Sequence, residues 1–136
     1  MITSKYVLGL LESETSIISN ITNSLKRLGL KTTREDKIIY IGSGEQKEVI
    51  IMASSGGNGF TLFSKTDTGV GISIRTDIKL VDFLKINSAS PGMGSKMVDA
   101  VISNVPSDWT LGVDRDWSKG FWSKIQSRYS NRKWLK

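Results

Sequence analysis

The chain has 136 residues with 38% apolar and 24% charged side chains and a net charge of +6, the balance of one globular domain spanning residues 1–136 rather than of a disordered segment. It contains no cysteine and no histidine. Disulfides and triads that use histidine as base are therefore excluded, and a transition metal would find only carboxylates, so no metal is expected.

The charge is unevenly placed. The last 22 residues hold seven lysines and arginines against the single acid Asp116, while acids and bases balance before Arg115. All four tryptophans, Trp109, Trp117, Trp122 and Trp134, lie toward this end. A basic aromatic region of this kind suits the phosphates of a nucleic acid or of a phosphorylated cofactor, and it equally suits a solvated helix packed through its tryptophans.

At the N-terminus the apolar run Tyr6–Leu11 is too short for a signal-peptide core or a membrane span, so a cytoplasmic protein without membrane attachment is expected. Ser13 as N-cap and Gly29 as stop bracket a helix with Ile17, Ile18, Ile21, Leu25 and Leu28 at helical spacing. Short β-rich runs follow at 37–41, 48–53, 60–65, 70–75 and 78–86, separated by glycine-containing and polar turns that favour an antiparallel meander. The rhythm then changes to a helix opening at Gly94 and limited by Pro106, a strand at 109–113, and a helix at 117–128. Strand, helix, strand in that order makes a parallel crossover joined to the meander. The fold class expected is α/β, one mixed sheet carrying helices.

The stretch "SPGMGSKMVDAV" (90–101) sets two glycines before a helical run. Backbone N–H groups there have no intrahelical acceptors and the helix dipole adds positive character, so an anionic phosphate would fit, as would a plain turn. Lys96 in the first turn is unfavourable against the dipole unless an anion is bound. The P-loop pattern fails, because Ser95 rather than lysine follows Gly94. The dinucleotide fingerprint is a near match that lacks its third glycine at Met97, although Asp114 stands where its acidic residue would.

The segments "IKLVDFLKIN", "ASPGMGSKMVDAV", "WTLGVD" and "DWSKGFWSKI" together resemble the GNAT-type acyl-CoA N-acyltransferases. In that family a strand leads through a glycine loop into a helix, then to a strand and an aromatic-bearing helix. The resemblance implies a GNAT-like fold and an N-acetyltransferase with acetyl-CoA as cofactor. It further implies a pyrophosphate held by Pro91, Gly92, Met93, Gly94, Ser95 and Lys96, and an acyl group beside Leu84 and Ile86. Arg115 and Lys119 would reach the cofactor's phosphates.

Period two along 78–86 sets Asp82 on one face with Ile78, Leu80, Leu84 and Ile86. A carboxylate so placed would be desolvated and suited to act as general base, and a bulge would turn it outward instead. Tyr129 is the candidate general acid. The competing reading is a nucleic-acid or partner-binding module built on "RYSNRKWLK", with Trp134 stacking and Arg128, Arg132 and Lys133 on phosphates. A homodimer covering an open sheet edge is also expected.

Overall fold

The computed structural model describes residues 5–42, 44–56, 68–88, 91–114 and 120–135. Helix α1 (Lys5–Arg27) precedes strands β1 (Lys31–Ile41), β2 (Gly44–Ser54), β3 (Gly69–Arg75) and β4 (Leu80–Asn87). Helix α2 (Met93–Ile102), strand β5 (Thr110–Val113), helix α3 (Phe121–Arg128) and the two-residue strand β6 (Lys133–Trp134) complete the order. The described strands form one mixed sheet, β1-β2-β3-β4-β5-β6. The first four are antiparallel neighbours, and β5 and β6 join in parallel. The architecture is α+β.

The core explains the layering. Val49, Ile51 and Ala53 of β2, Val70, Ile72 and Ile74 of β3, Val81 and Phe83 of β4, and Leu111 of β5 are buried along one face of the sheet. Ile18, Ile21 and Leu25 of α1, Met97, Val98, Val101 and Ile102 of α2, and Trp122 and Ile125 of α3 belong to the same apolar cluster. All three helices therefore cover the same face, as two successive right-handed crossovers in one direction require. The α1 stripe is one anticipated by its spacing. Asn104, just past α2, ties the two long helices together by donating to Ser24 Oγ at 2.9 Å and to the Ala100 carbonyl at 2.7 Å.

Several boundaries differ from the pattern reading. The helix begins at Lys5, so Ser13 lies inside it and is not its N-cap. Both strands of the first hairpin are longer than their apolar runs, because the backbone register continues through the charged residues 31–37 and 44–48. Residues Thr76–Lys79 form a turn, and the fourth strand starts at Leu80 rather than Ile78. The strand anticipated at 60–65 and the first residues of the helix anticipated at 117–128 lie outside the described residues. β6 was not anticipated.

The phase of β4 is the main correction. Val81 and Phe83, not Asp82 and its period-two companions, face the core. Gly71 pairs with Lys85 and Ile72 with Phe83, so Leu84 is an extra residue in the ladder, a β-bulge. The bulge reverses the alternation, and Ile86 returns to the core side beside Val70 while Asp82 stays on the opposite face.

Phe83 is fully buried and stacks on Trp122 at 5.0 Å between ring centroids. Phe83→Ala should lower unfolding free energy by about 3–5 kcal/mol in urea titrations. Asn104→Ala should cost only about 1 kcal/mol, the worth of its hydrogen bonds.

Candidate functional site

β4 and β5 run parallel only from the Leu80–Thr110 pair to the Phe83–Val113 pair. The N–H of Asp114 donates to the Phe83 carbonyl at 2.9 Å as the last bond of this ladder. β4 continues to Asn87, paired on its other side with β3. The described β4–β5 ladder therefore ends at Phe83, next to the bulged Leu84. The glycine loop follows, and α2 starts from it.

Gly92 has φ +82° and occupies the N-cap of α2 without a side-chain hydrogen bond. That backbone conformation is cheap only for glycine. The first turn of α2 contains no acidic residue, and its leading N–H groups have no acceptor within the helix by geometry. Pro91 and Gly92 are exposed, Met93 packs partly against the core, Ser95 is half-buried, and Lys96 is exposed. Gly94 is buried: a Cβ there would sit 3.1 Å from Phe121 Cε1, so the missing side chain lets α3 close on α2. The loop thus combines a bare, solvent-facing N-terminus with a tightly packed underside.

Asp82 lies on the sheet face away from the helices, level with Ser73 on β3 and Gly112 on β5. A Cβ on Gly112 would stand 2.9 Å from Asp82 Oδ1, so the carboxylate leans over a position that only glycine leaves free. Ser73, itself buried, donates its hydroxyl to Glu48 Oε2 at 2.6 Å. Burial raises the pKa of Asp82, the carboxylates of Asp114 and Glu48 add to the rise, and Arg75 opposes it. Carboxylates and the Arg75 guanidinium thus share the face on which Asp82 lies.

Of the other anticipated site residues, Leu84 is the bulge and Ile86 packs on the core beyond it. Tyr129 caps α3 on the helical side of the sheet, where its hydroxyl is bonded to Asp99 of α2. Burial raises its pKa, and Asp99 adds to this. Asp82 and Tyr129 stand on opposite sides of the sheet, and the structure does not bring them together. Arg115 and Lys119 lie outside the described residues. Glu48, Ser73 and Gly112 escaped the sequence reading, because only the strand register brings Ser73 and Gly112 level with Asp82 and Glu48 diagonally next to Ser73. Among the described residues no group of carboxylates is arranged to hold a metal ion.

Trp134, Arg128 and Arg132 of the C-terminal segment make contacts within the chain. Trp134 is part-buried, and its indole N–H donates to the Tyr129 carbonyl at 3.0 Å. Arg132 donates to the carbonyls of Val105 and Pro106 at 3.0 and 2.8 Å, and Arg128 pairs with Asp99 at 2.5 Å. Lys133 remains exposed.

The raised pKa of Asp82 has a signed consequence. The native state binds the proton more tightly than the unfolded chain, so stability falls as pH rises from the ordinary carboxylate value to the raised one. Asp82→Asn removes this dependence. Relative to the parent, the variant should gain in melting temperature from about pH 4 upward, then hold a constant gap.

No helix among the described residues is long and apolar enough to cross a membrane. No family model, curated protein or solved structure matches the chain.

Proposed function

We propose that the protein is a GNAT-like N-acyltransferase that takes its acyl group from acyl-CoA, with acetyl-CoA the simplest donor. The observation that carries this reading is the end of the parallel β4–β5 ladder at Phe83, four residues before β4 itself ends and leads on to a glycine-capped helix N-terminus. Two parallel strands that separate expose backbone N–H groups between them, and these can polarise a thioester carbonyl. The bare first turn of α2 and Lys96 suit the pyrophosphate of the same donor.

Asp82 serves as general base on this reading, directly or through one water. As the acceptor nitrogen bonds to the acyl carbon, its proton passes to the Asp82 carboxylate and the carbon–sulfur bond breaks. The departing thiolate then takes up a proton, from Asp82 or from water. The burial that raises the pKa of Asp82 makes it a better base for a neutral amine. Tyr129 takes no part in this scheme, being bonded to Asp99 behind the sheet. The nucleic-acid reading draws less support, because Trp134, Arg128 and Arg132 are held in internal contacts.

Calorimetric titration with acetyl-CoA tests the reading. Saturable binding is expected, weakened about 10-fold or more by Lys96→Glu, an exposed position whose reversal leaves the core intact. Asp82→Asn should leave that binding unchanged and reduce acetylation of a diamine acceptor by about 10²-fold or more. Absence of heat up to millimolar acetyl-CoA, with the protein folded by circular dichroism, would overturn the proposal.

A further inference from the structure

We infer that two copies of this chain pair through the free edge of β1, each seating Ile38 and Tyr40 of its hairpin in the groove between α1 and β1 of the other. This rests on the edge strand and not on the acyl-transfer reading.

β1 is the outer strand of the sheet, and its last residues extend beyond the pairing of β2 with β3, which begins at Val49. Ile38 and Tyr40 on this ribbon are 56% and 71% exposed. They lie on the helix-covered side of the sheet, as do Thr32 and Arg34, which are level with the buried Ala53 and Ile51. No residue of this kind gains from solvent, and the row of unpaired backbone groups beside them is a template for another strand.

The backbone fixes which residues are available. The N–H of Ser55 donates to the Thr68 carbonyl at 2.8 Å, so by strict alternation the odd-numbered residues of β2 bond toward β3 and the even-numbered ones toward β1. The register then commits the odd-numbered residues of β1 to β2, and Thr32, Arg34, Asp36, Ile38 and Tyr40 turn their N–H and C=O groups outward.

An antiparallel two-fold centred on Asp36 uses all five. It sets Thr32 opposite the second copy's Tyr40 and Arg34 opposite its Ile38. On the other side of the sheet it sets Glu35 opposite the second copy's Lys37, twice over. Arg34, which already holds Asp36 at 2.7 Å within the chain, lies diagonally beside the second copy's Asp36 and offsets the meeting of the two aspartates at the axis.

The groove supplies the seat. About 410 Å³ of open space lies between α1 and β1, lined by Ile18, Thr22, Asn23, Lys26, Thr32 and Arg34 among others. Because Thr32 and Arg34 border it, a strand added in this register delivers an isoleucine and a tyrosine to its mouth. An apolar floor at Ile18 and a polar wall at Asn23 and Lys26 match a tyrosine's ring and hydroxyl. The two grooves are about 27 Å apart along the strands, eight residues at the extended rise, so one pairing fills both without the helices colliding. The arrangement is isologous and closes on itself.

Sedimentation equilibrium on the full chain tests this. The expected result is a reversible dimer whose dissociation constant rises at least about 10-fold with Ile38→Lys and Tyr40→Lys combined. Glu35→Lys or Lys37→Glu alone should weaken it about 5-fold, and the two together should restore it, because each then meets the other across the axis. All four positions are exposed, so circular dichroism and melting at low concentration should stay close to the parent's. A single-chain mass up to millimolar protein would overturn the inference. So would a dimer indifferent to these four side chains, since its contact must lie elsewhere.

Discussion

The fourth strand must satisfy two demands that an unbroken alternation cannot meet together. Phe83 has to enter the core against Trp122, and three residues later Ile86 has to enter it as well, beside Val70. The extra residue at Leu84 resolves this by shifting the phase once. A bulge also increases local twist and bends the strand away from its neighbour. The residue that lets both side chains reach the core directly follows the last described pair of the β4–β5 ladder, so core packing and candidate site meet at one point of the strand.

One-sided coverage follows from the way the chain proceeds. Both crossovers advance across the sheet in the same direction, so α2 and α3 fall on the same side as α1. The other face carries Ser73, Asp82 and Gly112 level across three strands, with Glu48 diagonal to Ser73. Ser73 is buried there while Asp82 is only half-buried, which is why Asp82 is shifted by burial without being sealed from a ligand. On the helical side Arg128 and Arg132 are held in specific pairings, so the sequence-wide charge excess says little about which surface is electropositive.

The parts of the fold legible from residues alone were those where one periodicity dominated. Ile18, Ile21 and Leu25 carry a helical stripe with no rival pattern, and the glycine loop before α2 is marked by composition. From residue 78 to 86 both parities are apolar: Leu80, Leu84 and Ile86 on one, Val81 and Phe83 on the other. Counting cannot choose between them, and a bulge mixes them, so Asp82 was assigned to the wrong face. The charged run 31–37 conceals a strand because at the sheet edge neither face need be apolar. β6 is two residues long, and nothing local could announce it. The placing of Ser73 level with Asp82, and of Glu48 diagonal to Ser73, depends on register across segments far apart in sequence, which is information that no single segment holds.

The link between α1 and α2 through Asn104 and Ser24 also bears on how the protein is made. α1 leaves the ribosome before the described strands, yet the helix it packs against is encoded beyond the entire four-stranded meander. Throughout that interval its apolar stripe has only the growing sheet to lean on. The long β1–β2 hairpin, closed by near neighbours in sequence, is the earliest surface able to shelter it. An unusually long first hairpin thus gives a nascent amphipathic helix a place to rest while the rest of its core is still being translated.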